Sequence, residues 1–301
     1  MIPLVCPRCK SELESISNDE LRCSHDRLIF CRINGIWRFL LPEREETYAR
    51  FIRDYETVRR SEGRGSADES YYRTLPYHST RDWKIRAASF DAFVKQVLVP
   101  IEKTGKPLQV VDMGAGNGWL SNRLAARGHD VTAVDLTVND FDGLGCHRFY
   151  ETTFRPAQAE FDYLPFPDRS VDMILFNASL HYSANYEQTL HESLRILRID
   201  GKLVVLDSPV YRDAGSGSSM VREREKQFTQ RYGFPSNTLQ SENYLTYSRL
   251  QELARKLNLE WKFITPFYNI RWKLRPVFTR LLRHREPAKF HVIVGHEIAA
   301  D

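Results

Sequence analysis

Residues 108–135 read Leu-Gln-Val-Val-Asp-Met-Gly-Ala-Gly-Asn-Gly-Trp-Leu-Ser-Asn-Arg-Leu-Ala-Ala-Arg-Gly-His-Asp-Val-Thr-Ala-Val-Asp. The apolar run Leu108–Val111 is typical of a strand buried on both faces. A helix is expected from about Trp119 to Arg127, ended by Gly128, and a second strand at Val131–Val134. The stretch therefore predicts a strand, a turn, a helix and a second strand of a parallel α/β sheet.

The turn between the first strand and the helix carries glycine at alternate positions, Gly114, Gly116 and Gly118. Glycine permits positive φ and lets the backbone pass close to a ligand. Asp135 ends the second strand, where a carboxylate can accept hydrogen bonds from both hydroxyls of a ribose. A tight turn without a ligand, and a nicotinamide dinucleotide site, remain alternatives for this stretch alone. The glycine spacing lacks the third glycine of Gly-x-Gly-x-x-Gly.

A second motif follows at residues 160–172, which read Glu-Phe-Asp-Tyr-Leu-Pro-Phe-Pro-Asp-Arg-Ser-Val-Asp. With this motif, residues 108–207 resemble the class I S-adenosylmethionine (SAM) dependent methyltransferases, especially the methyltransferase type 11 subgroup, which carries an acid, Leu-Pro-Phe and another acid before the fourth strand. The resemblance implies an α/β fold with a seven-stranded Rossmann-like sheet and helices on both faces. It also implies SAM as the cofactor.

The resemblance assigns cofactor contacts to particular residues. Asp112 would lie near the amino group of SAM, and Asp135 would hold the ribose. The Glu160 carboxylate would accept the adenine amino group, and the backbone N–H of Phe161 would meet a ring nitrogen. The predicted cofactor-binding residues are Asp112, Gly114, Ala115, Gly116, Asn117, Gly118, Asp135, Leu136, Glu160, Phe161 and Asn177.

Residues 177–182 resemble the segment that runs beside the transferred methyl group. A general base is needed only where the acceptor must lose a proton, and the candidates are His181, Tyr182 and Asp207. Packing of His181 against the following helix is the alternative for that residue. Asp200-Gly201 resembles the Pro-Gly-Gly turn that precedes the fifth strand in this family, without its proline and one glycine.

Four of the five cysteines lie in the first 31 residues, and Cys6-Pro7-Arg8-Cys9 has the spacing of a zinc knuckle. Cys23 supplies a third thiol, and Asp26 has the spacing of a fourth ligand, with His25 and Cys31 as alternatives. The stretch 5–42 resembles the small zinc-ribbon proteins of the Trm112 type, which are partners or activators of methyltransferases. A small β zinc-ribbon-like module is therefore expected, with bound zinc or as a metal-free ribbon.

The chain has 301 residues, 42% hydrophobic and 27% charged, with a net charge of +4. This length fits one α/β domain and a small module. We expect a zinc-ribbon module at 1–45, a linker and cofactor lid at 46–82, and a methyltransferase domain at 83–301 with an insertion at 208–247 as a substrate cap. The sequence shows no apolar run of membrane-spanning length and no export signal, so a cytoplasmic protein is expected. It leaves the oligomeric state open.

Aromatic and basic side chains suggest further contacts. Tyr72, Tyr77 and His78 precede the first predicted strand and are lid candidates, with simple coverage of the core as the alternative. The segment 271–289 carries five arginines and two lysines against one acid. This pattern fits a surface that contacts RNA or an anionic lipid, or a solvated amphipathic helix.

The resemblance implies methyl transfer from SAM to an oxygen, nitrogen or carbon nucleophile. The insertion favours a small-molecule acceptor. An rRNA or tRNA acceptor, docked by the ribbon and the basic segment, is the alternative, although residues 177–180 lack the Asn-Pro-Pro-Tyr motif of many amino-group methylases. A non-catalytic SAM-binding adaptor is the second alternative.

Overall fold

The computed structural model describes residues 2–236, 238–268, 272 and 285–298. The α-helices in this part of the chain are α1 (Pro42–Ser61), α2 (Glu69–Thr74), α3 (Arg81–Phe93), α4 (Val99–Glu102), α5 (Trp119–Ala125), α6 (Tyr186–Ile196), α7 (Ala214–Tyr232) and α8 (Tyr247–Leu257). A π-helical turn at Val94–Leu98 joins α3 to α4. The strands are β1 (Glu14–Ser17), β2 (Glu20–Cys23), β3 (Leu28–Ile33), β4 (Ile36–Arg38), β5 (Gln109–Met113), β6 (Asp130–Asp135), β7 (Arg155–Gln158), β8 (Val171–Asn177), β9 (Leu197–Leu206), β10 (Val210–Tyr211), β11 (Leu245–Thr246), β12 (Leu259–Ile264) and β13 (Val292–Glu297).

One mixed sheet organises the fold, with the strand order β1-β2-β3-β4-β7-β6-β5-β8-β9-β13-β12. The strands from β4 to β9 in this order are parallel to their neighbours, whereas β13 runs antiparallel to β9 and to β12. The chain moves outward from β5 through β6 to β7, then returns to the other side of β5 with β8. In such sheets a ligand crevice forms outside the carboxyl ends of the strands at this reversal.

Side chains of the central strands alternate between two hydrophobic layers. On one face, Val111 and Met113 pack in the same cluster as leucines of α6 and α8. On the other face, Val110 packs with aromatic residues of α3 and α5. The sheet therefore has helices on both faces, as expected for the α/β class.

The N-terminal strands are continuous with the large sheet. The strands β1 to β4 form an antiparallel meander, and β4 then pairs in parallel with β7 through Trp37 opposite Ala157 and Arg38 opposite Gln158. Trp37 and Ala157 belong to one buried cluster. The sheet is therefore larger than the expected seven strands, and the expected boundary at residue 45 falls inside α1.

Two local expectations are wrong. Asp200 and Gly201 form no separate turn, because β9 begins at Leu197 and runs through them. Val171 pairs with Leu197 and Met173 with Lys202, so the extra residues form a bulge in the ladder. The glycine and serine run at 215–219 predicts a loop before a helix that starts near Met220, because glycine and serine are weak helix formers, but α7 already begins at Ala214, after the N-cap Asp213.

Among the described residues, no helix is both long and apolar enough to cross a membrane.

Candidate functional site

The glycine turn after β5 has the geometry that the sequence predicts. Gly114, Gly116 and Gly118 have φ values of +72°, +56° and +79°. A Cβ on Gly114 would lie 2.5 Å from the Cβ of Ser179, a separation that real side chains do not tolerate. The Gly114 N–H donates to the carbonyl of Val134 at 2.7 Å, which ties the turn to β6. Glycine at position 114 is therefore required by both backbone conformation and space.

A cavity opens beside this turn, and we call it the turn cavity. Five of the predicted cofactor-binding residues line it: Gly114, Asp135, Leu136, Glu160 and Phe161. Its wall also contains Arg44, Tyr48, Phe51, Tyr55, Thr137, Asp162, Ala178, Ser179, Tyr182, Ser183, Ala184, Thr189 and Leu239. The other predicted residues, Asp112, Ala115, Gly116, Asn117, Gly118 and Asn177, lie near the turn but outside this wall.

Asp135 stands at the carboxyl end of β6 with both oxygens held. Oδ2 accepts a hydrogen bond from the Gly116 N–H at 2.8 Å, and Oδ1 accepts from the N–H and the hydroxyl of Thr137, both at 2.7 Å. Burial raises the pKa of Asp135, although the Thr137 hydrogen bonds oppose that shift. The carboxylate is thus fixed in orientation at the cavity wall.

Asp112 lies beneath the turn and faces α5. Its Oδ2 accepts a hydrogen bond from the Ser121 hydroxyl at 2.7 Å, and its Oδ1 is buried without a partner among the described residues. Burial raises the pKa of Asp112 from 3.8 to about 7, with the nearby charge of Asp135 acting in the same direction. A cation placed beside the free oxygen would stabilise the ionised form.

The two asparagines among the predicted cofactor-binding residues differ in the hydrogen bonds of their side-chain oxygens. Asn117 Oδ1 accepts a hydrogen bond at 3.2 Å from the N–H of Trp119, the first residue of α5. Asn177 ends β8, and its Oδ1 is buried without a partner in the described part of the chain.

Helix α1, most of which lies in the segment 46–82 that the sequence predicts as a linker and cofactor lid, covers the turn cavity with residues that the motifs did not single out. The Glu160 carboxylate accepts hydrogen bonds from Arg44 Nε at 2.9 Å (Oε1) and Nη2 at 2.8 Å (Oε2) and from the Tyr48 hydroxyl at 2.6 Å (Oε2). Phe51 and Tyr55 follow on the same side of the helix. The spacing 44, 48, 51 and 55 is that of one helical face, so the signal was present in the sequence.

The three residues named as lid candidates, Tyr72, Tyr77 and His78, lie outside the wall of the turn cavity. Tyr72 is fully buried, and its hydroxyl donates to the carbonyl of Phe141 at 2.7 Å. Tyr77 is 55% exposed, and its hydroxyl donates a hydrogen bond to Asp91 Oδ1 at 2.8 Å. Neither these tyrosines nor His78 line the turn cavity. The structure therefore agrees with the alternative for Tyr72, coverage of the core, whereas a lid function of Tyr77 and His78 stays a prediction.

A second cavity, which we call the cap cavity, lies between α1 and α7. It shares Phe51, Tyr55, Ala178 and Tyr182 with the turn cavity. The expected insertion supplies much of its wall, with Pro209, Tyr211, Met220, Arg224, Phe228, Phe234, Pro235, Ser236, Thr238 and Asn243. The other lining residues are Asp54, Val58, Arg59, Glu62, Arg64, Arg86, His181, Asp207, Ala288 and Phe290. The two cavities therefore meet at a wall made from α1 and the segment after β8.

The three candidates for a general base all line the cap cavity. Burial lowers the pKa of His181 to about 3, and the charges of Arg224 and Arg86 act in the same direction. Burial raises the pKa of Asp207, whose Oδ1 accepts a hydrogen bond from Ser89 at 2.5 Å and whose Oδ2 is buried without a partner among the described residues. Asp207 is therefore the stronger proton acceptor of the two.

The N-terminal meander brings together four possible metal ligands, Cys6, Cys9, Cys23 and Asp26, whose donor atoms all lie within 4.8 Å of one another. The sulfurs of Cys9 and Cys23 are 3.5 Å apart, and Cys6 Sγ lies 3.2 Å from Asp26 Oδ2. A tetrahedral zinc site with Zn–S bonds of about 2.3 Å has S···S edges of about 3.8 Å. The donor set therefore fits one zinc ion without large movement.

The alternative ligands lie outside this donor set. His25 contacts Asp26 Oδ1 at 3.2 Å but its side chain is 72% exposed. Cys31 pairs with Glu20 in the β2–β3 ladder. Burial raises the pKa of the Cys6 thiol to about 12. A metal ion bound there would have to displace this proton, as is general for thiolate ligands.

Side chains in and next to the knuckle contact elements that surround the turn cavity. Arg8 donates to both oxygens of Glu43 in the first turn of α1, at 3.0 and 2.5 Å. Lys10, which has a positive φ of 62°, donates to Glu192 at 2.7 Å and to the carbonyl of Leu164 at 3.3 Å. The possible metal site thus contacts the helix that covers the cavity and the Leu-Pro-Phe segment beside it.

Most of the basic segment 271–289 lies outside the described residues, since only 272 and 285–289 are described. Within that part, Arg285 forms an ion pair with Glu223 of α7 at 2.8 Å. The expectation of an anionic contact by this segment stays a prediction.

Comparison with known proteins gives the same fold. Residues 111–205 match the family model described as a methyltransferase domain. The chain is 34% identical over 101 residues to the demethylmenaquinone methyltransferase of Tropheryma whipplei (33% of this chain, 41% of that protein). It is 35% identical over 98 residues to malonyl-[acyl-carrier protein] O-methyltransferase 1 of Coxiella burnetii (33% of each chain). The chain thus spans less than half the length of these two curated relatives.

The sarcosine/dimethylglycine N-methyltransferase of Aphanothece halophytica is 27% identical over 160 residues, 48% of this chain and 55% of that protein. The solved structure of the plantazolicin methyltransferase BpumL in complex with SAH superposes with a TM-score of 0.52 at 17% identity, over 85% of this chain and 97% of that one. The chain therefore shares the fold of this methyltransferase, and its residues 111–205 match the methyltransferase domain model.

Proposed function

We propose that the protein transfers the methyl group of SAM to a small-molecule acceptor. The observation that carries this proposal is the shared wall of the two cavities, formed by Phe51, Tyr55, Ala178 and Tyr182. A cofactor in the turn cavity and an acceptor in the cap cavity would meet at that wall. SAM supplies a methyl group already activated as part of a sulfonium, so the protein contributes mainly proximity and alignment.

Residues of the turn cavity would hold the cofactor by their free acceptor sites. Asp135 faces the cavity at the end of β6, in the position that binds a ribose in this sheet arrangement. The Oε2 atom of Glu160 accepts three hydrogen bonds, from Arg44 Nε at 3.1 Å, from Arg44 Nη2 and from the Tyr48 hydroxyl. Its Oε1 bonds Arg44 alone and keeps a lone pair for an adenine amino group.

An acceptor that loses a proton would need a base in the cap cavity. Asp207 has a buried oxygen without a described partner and a pKa raised by burial. A carboxylate with a raised pKa is a stronger proton acceptor than an ordinary one. His181 is held neutral by its low pKa and lies 3.3 Å from the Ser208 hydroxyl, which fits a polar wall better than a base.

The curated relatives are named for demethylmenaquinone, malonyl-[acyl-carrier protein] and sarcosine or dimethylglycine. The aromatic wall of the cap cavity suits a small acceptor, and this favours a small molecule over RNA. In the same proposal Cys6, Cys9, Cys23 and Asp26 hold a structural zinc ion.

The first test separates cofactor binding from turnover. Titration calorimetry with SAH should give micromolar affinity for the wild type, about tenfold or more weaker affinity for Asp135→Asn, and no change for Asp140→Asn on the exposed loop that follows. Equal affinity in the two variants would contradict the cofactor assignment.

The second test is turnover with methyl-labelled SAM and a lysate of the source cells, separated into RNA, protein, lipid and small molecules. Label in small molecules agrees with the proposal, and label released by nuclease identifies an RNA methyltransferase instead. SAH binding without label in any fraction would favour the non-catalytic adaptor.

A further inference from the structure

The cap cavity contains an excess of positive charge that the described part of the protein does not neutralise. Four arginines line it: Arg59, Arg64, Arg86 and Arg224. Arg59 forms an ion pair with Asp142, and Arg64 contacts Glu62 and Asp82, each at 3.4 Å. Neither Arg86 nor Arg224 has a carboxylate within 4.0 Å among the described residues. These two guanidiniums therefore carry charge that remains available inside the cavity.

Neutral side chains hold both arginines in place. The Arg86 guanidinium lies over the Trp83 ring, 4.8 Å from its centroid. Arg224 Nη2 donates to Asn243 Oδ1 at 2.6 Å, and Asn243 is itself fixed by a 2.8 Å hydrogen bond to the Ser241 carbonyl. The Arg224 Nε is buried and has no partner in the described part of the chain. The cavity thus holds two oriented cations, and Arg224 Nε is an unsatisfied donor among the described residues.

The carboxylates of the cavity do not balance these cations. Asp54 pairs with Arg50 at 3.5 Å, and Glu62 pairs with Arg64. Asp207 is near enough to Arg86 for their charges to interact, but the two form no ion pair within 4.0 Å in the described residues, and Asp207 Oδ1 instead accepts a hydrogen bond from Ser89 at 2.5 Å. Residues 269–271 and 273–284, which the structure does not describe, contain no Asp or Glu and cannot supply a counter-ion. A guanidinium nitrogen that is buried without a partner, as Arg224 Nε is in the described residues, is costly, and a bound anion relieves that cost.

We propose that the acceptor of this enzyme is an organic oxyanion, whose carboxylate or phosphate binds Arg86 and Arg224 while its apolar body packs on the aromatic wall of the cap cavity. Guanidinium forks suit both anions. Phe228, Phe234 and Phe290 supply apolar surface in the same cavity. The proposal rests on the proposed function, since it names the acceptor class of that site.

The test compares ligands of one shape that differ in charge. With the protein saturated with SAH, the affinities of 2-naphthoate, 2-naphthyl phosphate and neutral 2-naphthamide are measured by titration calorimetry. At least one anion should bind about tenfold more tightly than the amide, as one charged hydrogen bond predicts. The stronger of the two anions identifies the group that the site prefers.

The variants Arg86→Gln and Arg224→Gln should lose this tenfold preference while their SAH affinity stays at the wild-type value. Arg222→Gln is the matched control, because Arg222 is exposed on the same helix as Arg224 and contacts only Ser219 in the described residues. Equal binding of anion and amide, no binding of all three probes, or a preference that survives both variants would overturn the proposal. If the wild-type protein does not bind SAH, that result would instead contradict the proposed function.

Discussion

Arg44 donates hydrogen bonds to both carboxylate oxygens of Glu160, from Nε to Oε1 at 2.9 Å and from Nη2 to Oε2 at 2.8 Å. Arg44 lies in the first turn of α1, whereas Glu160 follows β7, so this pair fastens α1 over the turn cavity. The Glu160 side chain is only 1% exposed. Its charge has been removed from water and depends on the donors of α1.

Replacing Arg44 by leucine should lower the free energy of unfolding by about 2–4 kcal/mol, because Glu160 would keep a buried charge with only Tyr48 as a described donor. Affinity for SAH should fall as well, since α1 forms one wall of the turn cavity. Urea unfolding and SAH titration measure the two effects. Arg53→Leu is the control, because Arg53 is exposed on the same helix and should change stability by no more than about 0.5 kcal/mol. Similar losses in both variants would show that the ion pair does not hold the helix.

The central α/β unit could be predicted because its signals are local. Glycines at alternate positions fix the turn, and Asp135 at the end of β6 marks the ligand edge of the sheet. The pairing of β4 with β7 had no such signal. Strand β4 is only three residues long, and its partner lies more than a hundred residues away.

The face of α1 was visible as a spacing of 44, 48, 51 and 55, yet its place in the site was not. Helical periodicity predicts which residues share a face of the helix, but it does not predict which surface of the protein that face covers. The contact between Arg44 and Glu160 joins residues 116 positions apart, and it forms only when the whole sheet is assembled. The lid was for this reason assigned to nearby aromatics, of which Tyr72 is part of the core.

The four-ligand cluster leads to a prediction about metal content. Purified protein should contain about one zinc ion per chain by plasma mass spectrometry. Cys23→Ala should remove it, because Cys23 is one of the converging donors. Cys31→Ala should keep it, since Cys31 belongs to the β2–β3 ladder. Zinc lost from the Cys31 variant instead would assign the fourth ligand to that thiol.

Removal of the metal should also weaken the cofactor site. The knuckle holds α1 through Arg8 and Glu43, and Lys10 contacts Glu192 beside the Leu-Pro-Phe segment. We expect chelation to lower both thermal stability and SAH affinity, with recovery when zinc is returned. Unchanged SAH affinity in the metal-free protein would show that the two sites are independent.

Asp112 should make the protein less stable as pH rises. Its pKa is raised from the ordinary value of 3.8, which applies to the unfolded chain, to about 7 in the folded protein, so the unfolded chain releases the proton first. The raised pKa of Asp112 lowers the free energy of unfolding only where the unfolded chain is ionised at this residue. This loss of stability is absent below about pH 4, grows up to about pH 7, and is constant above that. The Asp112→Asn variant has no such titration. Its stability relative to wild type should therefore increase by about 3–5 kcal/mol between pH 4 and pH 8.

Urea unfolding across this pH range measures the difference. Asp130→Asn is a useful control on the neighbouring strand, because a hydrogen bond from Gln109 lowers the pKa of Asp130 and keeps it ionised above pH 4. Its stability relative to wild type should not change between pH 4 and pH 8. The same slope in both variants would rule out Asp112 as the source.

Asp207 and His181 should differ in their effect on turnover. A base acts in its deprotonated form, so turnover should fall as pH drops through the raised pKa of Asp207. Asp207→Asn should lower turnover about 10²- to 10⁴-fold and remove this fall. His181→Gln should keep the wild-type pH profile, because a group with a pKa of about 3 does not titrate in the working range. The labelled-SAM assay measures both, and a pH profile altered only by His181→Gln would reverse the assignment.

Alanine variants of Gly114 and Gly128 distinguish the effect of steric crowding from the effect of backbone strain. Both have positive φ, +72° and +91°, so alanine at either position is strained by about 1–2 kcal/mol. A Cβ at Gly128 meets nothing within 4 Å, whereas a Cβ at Gly114 would lie 2.5 Å from Ser179 Cβ. Gly114→Ala should therefore cost more free energy of unfolding than Gly128→Ala, and it alone should weaken SAH binding, because Gly114 and Ser179 both line the turn cavity. If the two variants bind SAH equally well, the cofactor does not lie against this turn.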